Sequence, residues 1–87
     1  MKEFNYCIRD KQGLHARPAA ELAGLAAEFS DTEITIVTAK GRKANAADLM
    51  KLMSLAVRYG NTVTIRCEGQ KEEEASEKLR MFFEKNL

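Results

Sequence analysis

The sequence predicts an α/β (α+β) fold: an open-faced sandwich in which three helices cover one face of a four-stranded antiparallel sheet, in the order βαββαβα. Two observations carry this expectation. Residues 3–9, 33–37 and 62–68 alternate apolar and polar side chains with period two, so each strand has one apolar face. Residues 16–29, 48–57 and 71–86 instead repeat apolar side chains at three- and four-residue steps, the spacing of a helix with a buried stripe. A sheet with a single apolar face needs helices on one side alone. At 87 residues the chain is expected to form one domain, 1–87, with a modest core and a functional site on its surface.

In the first strand Phe4, Tyr6 and Ile8 point one way and Asn5, Cys7 and Arg9 the other. Asp10, Lys11, Gln12 and Gly13 form a polar turn. The first helix runs from Ala16 to about Phe29, with Ala19, Leu22, Ala23, Ala26 and Phe29 as its stripe and Ser30-Asp31 closing it. Pro18 is tolerated in its first turn, where amides have no internal partner. Ile34 and Ile36 mark a second strand, Lys40-Gly41 a turn, and Arg42 to Asn45 a short third strand. Asp48 is placed to cap a second helix that reaches about Val57 and carries Leu49, Met50, Leu52, Met53 and Leu55. After the Gly60-Asn61 turn, Val63, Ile65 and Cys67 line the inner face of a fourth strand. The last helix, Lys71 to Asn86, has Ala75, Leu79 and Phe82 as its inner stripe. Glu72, Glu73 and Glu74 at its start and Lys85 near its end suit the helix dipole.

Composition excludes several classes. A net charge of +1 lacks the basic footprint of a protein that lives on nucleic acid. No apolar run is long enough to span a bilayer, and no apolar stretch follows Lys2 as a signal peptide would require, so a cytoplasmic protein is expected. Cys7 and Cys67 fit no metal-ligand spacing, and the single histidine cannot complete a common zinc site, so neither metal nor cofactor is expected. The two cysteines lie on opposite faces of their strands, which argues for free thiols.

The stretch that carries chemistry is Gly13-Leu14-His15-Ala16-Arg17-Pro18-Ala19-Ala20. His15 stands at the N-cap of the first helix, directly after a glycine-containing loop. The amides of Ala16 and Arg17 have no intrahelical acceptor, and the helix dipole adds positive potential, so the helix start is an anion site. Arg17 adds a guanidinium whose fork matches phosphate oxygens. A neutral imidazole is nucleophilic near neutral pH, so His15 is placed to attack phosphorus and hold the group it receives. Spacing alone leaves a second possibility, in which His15 is a plain cap and Arg17 an ordinary surface charge.

Gly13 to Ala20 resembles, at all eight positions, the active-site signature of the histidine-containing phosphocarrier HPr family of the bacterial sugar phosphotransferase system. Leu49-Met50-Lys51-Leu52-Met53-Ser54-Leu55 is similar to that family's second-helix segment, and the element order matches along the whole chain. The resemblance implies a phosphoryl carrier that takes the group from phosphorylated enzyme I and passes it to the IIA domains of sugar permeases. It implies that Nδ1 of His15 carries the phosphoryl group, with Arg17 in support. It also implies a docking surface of Ala16, Arg17, Ala20, Leu49, Met50 and Met53, and a monomer as the working unit. On apolarity alone the second helix is equally well read as core. The split expected here puts Leu52 and Leu55 inwards and Met50 and Met53 outwards, where flexible thioethers suit several partners.

One departure from the family concerns Asp48, which stands where one branch has a regulatory serine. The stretch before it also looks slightly longer than usual. Kinase regulation through that serine is therefore in doubt, and Asp48 is left either as a helix cap or as a fixed negative charge beside the docking surface. Two other functions compete with this one. An HPr-like module could signal phosphorylation state to a transcription factor or enzyme. A small RNA-binding domain would show aromatic residues on its open face, but here that face carries Asn5, Cys7, Glu33, Thr35, Thr64 and Arg66.

Overall fold

The computed structural model describes residues 1–87. The elements are β1 (Lys2–Cys7), α1 (Ala16–Ala27), β2 (Thr32–Thr38), β3 (Lys43–Asn45), α2 (Leu49–Ser54), β4 (Thr62–Gly69) and α3 (Glu72–Asn86). The strands form one antiparallel sheet in the order β1-β4-β2-β3, so β4 is paired on both sides. The sequence-predicted βαββαβα open-faced sandwich is therefore the observed fold.

Register explains why only one face needs cover. Phe4, Ile65, Ile36 and Ala44 lie opposite one another across the four strands, and all are buried. One residue along, the row reads Asn5, Thr64, Val37 and Lys43; the next reads Glu3, Arg66, Thr35 and Asn45. On this outer face the Thr64 hydroxyl donates to Asn5 Oδ1 at 2.7 Å, and Arg66 Nε donates to Glu3 Oε2 at 3.0 Å. Such cross-strand pairs fill the polar face with partners instead of a second helical layer.

The helices supply Leu22, Leu52 and Leu79, each fully buried against the inner face. Four details differ from the sequence expectation. Helix α1 ends at Ala27, because the Glu28 amide tightens onto Leu25 and Ala26; Phe29 is buried from the turn that follows. Helix α2 ends at Ser54 instead of Val57, since Ala56 adopts φ +53 and breaks the helical path. Arg42, read from sequence as the start of β3, lies before it and donates from Nη2 to the Ser54 carbonyl at 2.9 Å, satisfying the end of α2. In α3 the inner residue is Phe83, not Phe82. Phe83 meets the rings of Phe4 and Tyr6 edge-on at centroid distances of 6.2 and 5.4 Å, while Phe82 is half-buried. A further exception is Val37, which is buried although it belongs to the outer row.

The cysteines follow strand parity: Cys7 is exposed, Cys67 is buried and both are free. Burial, with the negative charge of Glu72, pushes the Cys67 thiol up to about 11 from its ordinary 9.0.

Replacing Phe83 with Ala is expected to cost about 3–5 kcal/mol in chemical denaturation. Phe82→Ala is expected to cost clearly less, and equal costs would contradict the inward assignment of Phe83. Alkylation of the native protein at pH 8 is expected to modify Cys7 and spare Cys67. Because the folded-state value of Cys67 lies above the ordinary one, its contribution to stability is complete below about 9 and is lost as pH rises towards about 11. Melting curves for the native protein and Cys67→Ala should therefore converge across that window.

Candidate functional site

The loop before α1 is shaped by backbone contacts. Asp10 accepts the Gln12 amide on Oδ1 at 2.8 Å and the Gly13 amide on its carbonyl at 2.9 Å. Gly13 then adopts φ +67, and a Cβ there would stand 2.5 Å from the Val57 carbonyl oxygen and 2.8 Å from Arg58 Cα. Only glycine lets the loop lie this close to the α2–β4 connection. The next amide, of Leu14, donates to that same Val57 carbonyl at 3.0 Å, and the Leu14 side chain is buried. His15 is thereby delivered to the N-cap of α1 in extended backbone, with φ −88 and ψ −179.

The His15 side chain makes no capping bond, so the imidazole is left free for other work. The first intrahelical bond runs from the Ala19 amide to the His15 carbonyl at 3.0 Å. The amides of Ala16 and Arg17 donate to no acceptor in the protein, and Pro18 has no N–H to add. Two free donors at the positive end of a helix thus flank one imidazole. Arg17 is exposed and makes no ion pair or side-chain hydrogen bond, so its guanidinium is available to the same place.

Sequence reasoning missed Asp10. It was read as a turn residue, yet its Oδ2 lies 3.8 Å from His15 Nε2, with the imidazole 35% and the carboxylate 30% exposed. This is ion-pair range and too long for a hydrogen bond. It puts an acceptor on the Nε2 side of the ring and leaves Nδ1 without an acidic neighbour. The missing signal was tertiary: the turn at 10–13 folds back, and no periodicity links the two positions. Val57 and Arg58, which floor the loop, were missed for the same reason.

The second helix divides as expected. Leu52 and Leu55 are buried, whereas Leu49, Met50 and Met53 are 39, 78 and 39% exposed. Ala16 and Ala20 are exposed too, and α1 packs against α2. Asp48 is the N-cap of α2, its Oδ1 accepting from the Lys51 amide at 3.1 Å. The capping role is thus present, and the carboxylate remains exposed beside Leu49 and Met50.

The architecture is an open-faced sandwich whose first helix starts at the chain's single histidine, beside two unpartnered amides and an exposed arginine. Residues 2–85 match the family described as "PTS HPr component phosphorylation site". The chain belongs to the HPr family of phosphotransferase-system phosphocarriers. It is 40% identical to the phosphocarrier protein HPr of Mycoplasma genitalium over 99% of this chain and 97% of that protein. It is 44% identical to the HPr-like protein Crh of Halalkalibacterium halodurans, over 98 and 99% of the two chains. The structure of HPr from Thermoanaerobacter tengcongensis superposes with a TM-score of 0.89 at 43% identity, covering 97% of this chain and 92% of that one. HPr from that organism has also been solved as a dimer.

If Asp48 acts through its cap, Asp48→Ala should lower stability by about 0.5–2 kcal/mol and Asp48→Ser by much less, as measured by urea denaturation. Equal losses for the two variants would remove capping as the explanation.

Proposed function

We propose that residues 1–87 act as one HPr-like phosphocarrier domain, in which His15 takes a phosphoryl group from phosphorylated enzyme I and passes it to IIA domains of sugar permeases. The observation that carries this is the free imidazole of His15 beside the unpartnered amides of Ala16 and Arg17. The Nδ1 lone pair attacks phosphorus, and the bond between phosphorus and the donor breaks with its electron pair leaving to the donor. Asp10 favours the proton on Nε2 and so keeps Nδ1 as the nucleophile. The two amides and Arg17 then hold the transferred oxygens in charge-assisted hydrogen bonds. The carrier needs no metal, because it only accepts and releases the group.

Docking of both partners is assigned to Ala16, Arg17, Ala20, Leu49, Met50 and Met53. Its support is the exposed apolar surface of α2 next to the helix start. Asp48 adds a negative charge at the edge of this surface. A partner that attracts Arg17 would be acidic, so Asp48 would oppose it at low salt. The carrier is taken to work as a monomer in the cytoplasm; no helix of the structure is long and apolar enough to cross a membrane. A second role, as a regulatory module that reports phosphorylation state to another protein, is favoured by the likeness to the HPr-like protein Crh. Transfer to IIA domains, measured directly, separates the two.

Incubation with phosphoenolpyruvate and purified enzyme I should add one phosphoryl group, seen by intact mass spectrometry, labile in acid and stable in base. His15→Ala should abolish it, and labelling that persists would refute the site. Arg17→Ala should slow transfer about tenfold, the effect of losing one charge-assisted bond, without lowering the melting temperature. Met50→Asp should raise the partner concentration needed for half-maximal transfer while leaving the fold intact. A large fall in melting temperature would place Met50 in the core instead.

A further inference from the structure

A second group of positive charges lines a recess of about 560 Å³ that includes Val57 and Arg58, beneath the Gly13 loop, but none of His15, Ala16 and Arg17. The β2–β3 hairpin, the α2–β4 connection and the start of β4 form its walls. Lys40, Arg42 and Arg58 line it, and no carboxylate does. None of the three is in an ion pair anywhere in the protein. Arg42 is held in place by its bond to the Ser54 carbonyl, which consumes one Nη2 donor and none of its charge. The side chains of Lys40 and Arg58 make no hydrogen bond at all. The chain carries 14 basic and 13 acidic residues, yet three cations and no carboxylate line this one recess.

The backbone provides an independent sign. The amides of Ala39, Lys40 and Val57, all residues of the recess wall, donate to no acceptor in the protein. The hairpin leaves the first two free because its bonds run from the Gly41 amide to Thr38 and from the Thr38 amide to Arg42. The third is freed where Ala56 turns to φ +53. Cationic side chains combined with free main-chain donors are the elements of phosphate recognition. The volume falls within the range that holds a small organic ligand.

We propose that this recess is a second anion site, which binds a small phosphate-bearing ligand through Lys40, Arg42, Arg58 and the neighbouring amides. The phosphate group is the shared chemistry, presented either as free phosphate or on a small metabolite. The occupant would lie against Val57, the residue whose carbonyl holds Leu14.

The test is an amide-resolved NMR titration of the unphosphorylated full chain with inorganic phosphate, with glycerol 3-phosphate, and with glycerol as the uncharged control. Saturable shifts at Ala39, Lys40 and Val57 are expected for at least one phosphate compound and none for glycerol. Equal affinity for the two phosphates identifies free phosphate as sufficient; tighter binding of glycerol 3-phosphate identifies a metabolite site. The double variant Lys40→Gln/Arg58→Gln, whose side chains hold nothing in the fold, should weaken these shifts at least about tenfold. It should leave shifts at Ala16 and Arg17 unchanged, which keeps the recess distinct from the His15 cap. Shifts confined to Ala16 and Arg17, or shifts at the recess that survive the double variant, would overturn the proposal.

Discussion

Strand β4 has partners on both edges and a helical layer on one face, and this double demand organises the molecule. Val63, Ile65 and Cys67 are at most 1% exposed, so the strand admits no polar residue at these positions. Their neighbours in register, Phe4 and Tyr6 on one side and Ile34 and Ile36 on the other, must be apolar in the same phase. A slip of one residue would carry every one of these side chains to the solvent face. The three helices then have a single floor to cover, and α3 does so with Ala75, Leu79 and Phe83.

The surface loops inherit their positions from that floor. The connection entering β4 contains Val57, itself part of the apolar core, and its carbonyl receives the Leu14 amide. The loop that delivers His15 is therefore pinned to the sheet through one core residue and one hydrogen bond. Gly13 allows the approach, and Ala56 accepts a left-handed conformation to aim the connection, at a cost of roughly 1–2 kcal/mol for a residue with a Cβ. The backbone that carries His15 is thus fixed, while its imidazole makes no capping bond. The same connection forms one wall of the recess lined by Lys40, Arg42 and Arg58, so the recess and the His15 loop share a structural element.

Charge is distributed to match. On the outer sheet face Glu3 pairs with Arg66, and Glu74 meets Lys78 along α3. Arg17, Lys40, Arg42 and Arg58 are left without carboxylate partners. Exposed ion pairs add little stability, so leaving these cations unpaired costs the fold little.

Local pattern was enough for the features that depend on near neighbours. Period two separated Cys7 from Cys67, and residue type marked His15 and Asp48 as the starts of helices, whereas the outward turn of Met50 and Met53 was only one of two readings the sequence left open. These follow from backbone geometry that repeats every two or 3.6 residues, which a sequence displays directly. Other features needed distant segments to meet. Phe83 displaced Phe82 as the inner residue because the rings of Phe4 and Tyr6 wait there. Helix α2 stopped at Ser54, where Arg42 from another element takes the carbonyl and Ala56 turns away. Asp10 came within 3.8 Å of His15, and Val57 and Arg58 came beneath Gly13, by chain reversals that carry no period. The sequence by itself determined which face of each strand is apolar and which residue types stand at the starts of α1 and α2. The tertiary structure alone decided what surrounds those residues, because contacts between segments tens of residues apart depend on packing that no local spacing encodes.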